Sequence, residues 1–168
     1  MECNNAIESL VGMPLSKIGR AADLLWLQFG TMRKVTTRYG EKTIGDWTIH
    51  VQTSWRFVRD AQIILAVGDL YLLPDGETYD WDEGGDSNFD NITDKLNELF
   101  IETSVTVKRV HCDDVGGFSL TLSDGTRFDV FPKISDTIDG IEHWRMFQPD
   151  GDGGHAVCQT QDKRANAG

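Results

Sequence analysis

Three residues set at even positions along one segment carry the plainest opportunity for small-molecule chemistry. From Trp47 the odd positions read Trp47, Ile49, Val51, Thr53, Trp55 and Phe57, and the even positions read Thr48, His50, Gln52, Ser54 and Arg56. Period-two alternation places the two sets on opposite faces of an extended strand. His50, Gln52 and Arg56 then share a polar face. An imidazole, an amide and a guanidinium together bind an oxyanion or supply a general acid and base. His143 and Arg145, in a later extended segment at 142–147, are the nearest candidates to complete such a site. An antiparallel sheet keeps one wet face in any case, so solvation alone also accounts for the pattern.

A second constellation is acidic. Residues 75–90 hold seven carboxylates, Asp75, Glu77, Asp80, Asp82, Glu83, Asp86 and Asp90, and no basic residue. Asp80, Asp82 and Gly84 begin like a calcium loop, yet the Asp or Asn needed at the fifth position and the glutamate needed at the twelfth are absent. The stretch Asp150 to Gly154 departs from the pattern in the same way. Asp80, Asp82, Glu83 and Asp86 therefore stand as contacts for a partner or as solvated loop.

Metal and catalytic signatures are missing. His50, His111, His143 and His155 never fall at the i,i+2 or i,i+4 spacing of a local ligand pair. Cys3, Cys112 and Cys158 form no paired motif, so no structural zinc and no other cofactor is expected. No phosphate-binding loop, dinucleotide fingerprint, metalloprotease helix or nucleophile elbow occurs either.

Charge narrows the partners. The 168 residues carry a net charge of −11, and it is uneven: residues 1–74 sum to +1 and residues 75–168 to −12. Nucleic-acid affinity rests on Lys and Arg replacing condensed counterions, and anionic membranes demand the same, so neither partner is expected. An acidic half instead steers a basic protein. An odd number of scattered cysteines points to a reducing compartment, and the N-terminus lacks the basic and apolar segments of a signal peptide. The longest apolar run, Ile63 to Val67, is far too short to span a bilayer. A soluble, cytoplasmic protein is the expectation.

The elements that must position these residues are mainly strands. The run 47–57 is one long strand, or two joined by a bulge near Thr53 and Ser54. Leu24–Phe29 reads as a central strand, with a short helix from Ala21 as the alternative. Ile63–Val67 and Asp69–Leu73 read as strands bent at Gly68. Val105, Val107, Val110 and Cys112 change phase at Lys108 and Arg109, which predicts a bulge. Glu142–Phe147 and His155–Cys158 read as a final antiparallel pair.

The strongest local prediction is a hairpin over 118–131. Phe118, Leu120, Leu122, Phe128 and Val130 lie on one face only if the loop is Ser123, Asp124 and Gly125, pairing Leu122 with Thr126, Leu120 with Phe128 and Phe118 with Val130. Gly125 then takes the left-handed position. One helix is expected, capped by Asp90 or Asn91, with Ile92, Leu96, Leu99 and Phe100 on one stripe. Arg20 with Asp23, and Arg145 beside Trp144, suggest ion pairs or cation–π contacts at the core rim. The fold class is α+β: a curved, mostly antiparallel sheet of about 8–10 strands with one main helix packed on it. The chain reads as a single domain, ordered from about 13 to 158 with frayed ends, although residues 1–12 carry no clear pattern.

The segments RAADLLWLQFG (20–30), GDWTIHVQ (45–52), Trp55 with Arg56, Gly68 to Leu70, and EHWRMF (142–147) together resemble a family of small uncharacterised bacterial proteins. The resemblance spans about Leu15 to Val157, and it implies no activity and no catalytic residues. In general character such acidic, β-rich domains are similar to immunity proteins that neutralise toxins. The leading expectation is thus a non-enzymatic protein-binding domain, immunity-like, whose acidic surface meets a basic partner. The alternative is a small-molecule binder or small enzyme that uses the His50, Gln52 and Arg56 face.

Overall fold

The computed structural model describes residues 3–38, 40–149 and 154–160. The architecture is α+β and mostly antiparallel. Twelve strands are found among the described residues: β1 (Leu15–Ala21), β2 (Leu24–Phe29), β3 (Arg33–Thr37), β4 (Gly40–Ile44), β5 (Trp47–Val51), β6 (Ser54–Arg59), β7 (Gln62–Ala66), β8 (Val107–Cys112), β9 (Phe118–Leu122), β10 (Arg127–Phe131), β11 (Glu142–Phe147) and β12 (Ala156–Gln159). They form two open five-stranded sheets, ordered β1-β2-β5-β11-β12 and β7-β6-β10-β9-β8, and a separate β3-β4 hairpin. Two helices accompany them, α1 (Cys3–Glu8) and α2 (Asn88–Thr103), with a short 3-10 turn at Val67–Tyr71.

One hydrophobic cluster joins the two sheets. Leu25, Leu27, Phe29, Ile49 and Met146 enter it from the first sheet, and Trp55, Phe57, Leu120, Phe128 and Val130 from the second. Phe118 and Trp144 meet edge to face across it, with centroids 5.1 Å apart.

The segment 47–57 is two strands. Its odd positions from Ile49 to Phe57 are buried throughout, but the chain turns at Gln52 and Thr53 and passes from one sheet to the other. Thr53 is fixed there by its hydroxyl, which donates to the Phe131 carbonyl at 2.7 Å. Leu24–Phe29 is a strand in the interior of the first sheet, so the helical alternative falls away.

The β9–β10 hairpin has the predicted register, with Leu120 opposite Phe128 and Phe118 opposite Val130. The Leu122 N–H donates to the Thr126 carbonyl at 2.8 Å, which leaves Ser123, Asp124 and Gly125 as the loop. Gly125 has φ +85. The phase change in β8 is a bulge between Val107 and Arg109.

Three expectations need correction. Asp69–Leu73 is not a strand: the Asp69 carboxylate accepts from the Ala66 N–H at 2.8 Å and winds Val67–Tyr71 into a 3-10 turn. Helix α2 is capped by Ser87 rather than Asp90 or Asn91, because Ser87 and Asp90 form a reciprocal capping box. Its buried stripe is accordingly Phe89, Thr93, Leu96 and Phe100, with Ile92 and Leu99 at the flank. Arg20 pairs with Asp90, not with Asp23.

Residues 1–12, unclear in sequence, contain α1, which packs against β8 and β12. The expected fraying of the last residues and the Asp150 to Gly154 stretch lie mostly outside the described residues. No helix among the described residues is long and apolar enough to cross a membrane.

Candidate functional site

The outward face of the first sheet gathers part of the predicted polar set. His50, on β5, lies directly opposite Trp26 on one side and Arg145 on the other. Its ring stands edge-on to Phe147 at 4.9 Å, and Phe147 in turn stacks on His155 at 4.8 Å. Burial, with the nearby Arg145 charge, pushes the His50 imidazole below its ordinary value, so the ring is neutral near pH 7.

Glu142 organises this face and was not singled out in the sequence. Arg145 donates from Nε to its Oε1 at 2.7 Å and from Nη2 to its Oε2. Gln52 donates from Nε2 to Oε1 at 3.1 Å. These bonds, led by those from Arg145, hold the carboxyl below the usual range despite its partial burial. Gln52 and Arg145 therefore converge on one carboxylate, while His50 sits beside Arg145 and Phe147. Arg145 makes its ion pair with Glu142, not a stacking contact with Trp144.

Arg56 and His143 are placed elsewhere. Arg56 lies in the second sheet because the chain crosses over after Gln52, and its Nε donates to Asp129 at 3.1 Å. Alternation survives the crossover, which is why parity alone groups it with His50. His143 is buried at the bulge between Glu142 and Trp144.

The acidic run has a definite surface. Asp80, Asp82, Glu83 and Asp86 are all exposed, and Asp80 Oδ1 accepts from the Asp82 and Glu83 N–H groups at 2.8 and 3.3 Å. Within the run sit Tyr79, buried, and Trp81, 41% exposed. Arg20 supports both: its guanidinium carbon lies 5.4 Å from the Tyr79 ring centroid and 5.2 Å from that of Trp81. Arg20 is itself held by a two-point bond to Asp90, at 2.9 Å from Nε and 2.7 Å from Nη2. The Trp81 ring meets Tyr71, 42% exposed, at 5.8 Å. Ala22, Asp23, Tyr71 and Trp81 enclose a notch of about 220 Å³. Burial and the Asp23 carboxylate push the Tyr71 hydroxyl above its ordinary value.

The cysteines are the other feature that sequence left apart. Cys3, Cys112 and Cys158 are free and converge where α1 meets β8 and β12. Burial pushes the Cys158 thiol up to about 12, with Cys3 next among the causes, and burial raises Cys3 and Cys112 as well. Among the described residues no group of three or more His, Cys, Asp and Glu side chains is arranged to hold a metal ion. No family model, curated protein or solved structure matches the chain.

Proposed function

We propose that this chain is a non-enzymatic protein-binding domain, and that the notch of Asp23, Tyr71 and Trp81 receives an arginine or lysine from a basic partner. The observation that carries this reading is the exposed Tyr71–Trp81 pair set beside a carboxylate and an entirely acidic loop. A cation entering the notch meets two aromatic faces and the Asp23 charge together. Exposed Trp and Tyr side chains on a firm support are the usual centres of interface energy. Arg20, locked between Asp90 and the two rings, supplies that support. The acids at 80–86 add long-range attraction, which acts mainly on the rate of encounter. A bacterial, cytoplasmic, immunity-like partnership suits this surface and the three free thiols.

The test begins with capture of partners from the native host, followed by titration of the identified protein in calorimetry at about 50 mM and about 300 mM salt. Trp81→Ala weakens binding by about 30-fold or more if Trp81 is an anchor. Asp80→Asn, Asp82→Asn and Glu83→Gln together slow association and flatten the salt dependence. A partner of acidic charge, or affinity indifferent to Trp81→Ala, overturns the proposal.

A further inference from the structure

The outward face of the first sheet carries a second concavity, separate in its residues from the Tyr71–Trp81 notch. A groove of about 540 Å³ lies between that face and β4 of the β3–β4 hairpin. One side is formed by Lys17 and Trp26, the other by Lys42 to Ile44. Gln28, Thr48, His50 and Phe147 continue the lining from β2, β5 and β11. The volume lies within the range of small-molecule sites.

Three observations point to an occupant. The first is charge: in a chain of net charge −11, the groove is lined by two lysines and a histidine and by no carboxylate. The second is an aromatic wall held in a set position. Trp26 lies flat over Gly19, where a Cβ would come within 2.1 Å of the indole Cζ2, so glycine is the residue that admits the ring there. Lys17 Nζ sits 5.8 Å from the indole centroid, and Phe147 stands beside His50. The third is a pair of buried polar atoms without a hydrogen-bond partner: Gln28 Oε1 and Thr48 Oγ1. Thr48 is 4% exposed, and it sits directly opposite Gln28 in the β2–β5 pairing. A native fold rarely leaves two such neighbours unserved.

We infer that this groove binds a small anion that carries a planar ring, up to mononucleotide size. Its anionic group lies between Lys17 and Lys42, its ring packs on Trp26 and Phe147, and its N–H or O–H edge donates to Gln28. A modest rotation of the Gln28 amide brings the acceptor to the ligand. Thr48 donates to the same ligand or to the reoriented amide. Neutral His50 adds a hydrogen-bonding group without a further charge.

The test has a ligand arm and a ligand-free arm. In the first, the four ribonucleoside 5′-monophosphates, nicotinate and indole-3-acetate are titrated into the full chain and followed through the indole and backbone N–H signals in NMR spectra. At least one of these ring-bearing anions shifts the Trp26 indole N–H and the Gln28 side-chain amide, whereas inorganic phosphate alone does not. Lys17→Gln with Lys42→Gln weakens that binding at least about tenfold and lowers its salt dependence, leaving the melting temperature near that of the parent. In the second arm, Thr48→Val and Gln28→Met are melted without ligand. Because the groups they remove are unserved in the free protein, each variant melts at or above the parent temperature while losing ligand affinity. Two results overturn the inference. One is the absence of any shift at Trp26 and Gln28 with every ring-bearing anion. The other is a lowered melting temperature in both single variants with no further loss in the double variant, which would mean that Thr48 and Gln28 simply bond each other.

Discussion

The side-chain amide of Asn97, on α2, makes both hydrogen bonds that the backbone of Ile18, on β1, would offer a neighbouring strand. The Ile18 N–H donates to Asn97 Oδ1 at 2.8 Å, and Asn97 Nδ2 donates to the Ile18 carbonyl at 2.9 Å. Strand β1 is an edge of its sheet, and an edge with free backbone groups is a template for pairing with another chain. One amide thus closes the most sheltered part of that edge and fastens α2 to it. Asn97→Ala should lower stability by about 1–3 kcal/mol, because it strands two backbone groups beside a buried residue. Urea unfolding measures the loss, and size-exclusion chromatography should reveal new dimers. An unchanged urea midpoint would show that water serves Ile18 equally well.

Gly125 has φ +85 and open space around the position of an added Cβ. Any cost of substitution there comes from the backbone and not from a clash. Gly125→Val should destabilise by about 1–3 kcal/mol, and Gly125→Asn by distinctly less, since asparagine tolerates the left-handed region. Thermal melts of the two variants decide the matter. Equal melting temperatures for valine, asparagine and glycine would mean that the turn relaxes freely.

Asp129 is 3% exposed. Its carboxylate accepts from Ser119 at 2.8 Å, from Arg56 at 3.1 Å and from Arg127 at 2.8 and 3.1 Å. Burial alone pushes its pKa up, but these bonds, that from Arg127 foremost, hold it below the usual carboxylate range. Its stabilising effect is therefore complete above the unfolded value near pH 4, and it disappears as the pH falls through the lower folded value. Asp90, held below its ordinary value by Arg20 and Ser87 against burial, acts in the same direction. Asp129→Asn should remove part of the acid sensitivity below about pH 4 and lower stability at pH 7 by about 1–3 kcal/mol. The two arginines are 39% and 48% exposed, which keeps the loss below that of a fully buried pair. Denaturation curves from pH 2 to 7 test this; an unaltered acid limb would contradict it.

The thiols should be slow to react. With Cys158 pushed up to about 12 and Cys3 and Cys112 also raised, the nucleophilic thiolate is scarce at pH 8. Iodoacetamide labelling followed by mass spectrometry should be at least about tenfold slower in the native protein than in urea. Equal rates would place the thiols in water.

What sequence made legible followed parity and burial. The β9–β10 register could be read because one slip would turn five apolar side chains outward. The same rule located β5 and β6 but could not see that they belong to different sheets, since a turn at Gln52 and Thr53 leaves alternation intact. That is why Arg56 was grouped with His50. The β3–β4 hairpin went unread because Ile44 is the one buried residue of its two strands, so their sequences show no apolar alternation. Ser87 was hidden at the end of the acidic loop, although its spacing to Asp90 is the capping-box signature. Arg20 and Asp90 are seventy positions apart, and nothing local announces such a pair. Glu142 was passed over because a single acid beside a strand is common; its role is visible only once Gln52 and Arg145 converge on it.

The crossover at Gln52 and Thr53 also bears on how the molecule opens. β5 is flanked by β2 and β11, and β6 by β7 and β10, so one uninterrupted stretch of chain forms an interior member of each sheet. Neither sheet can release that member without loosening the other, so both should exchange their amide protons through a single shared opening. Occupancy of the outer face of the first sheet would then be read out as slower exchange at Phe57 and Phe128, residues that the occupant never touches.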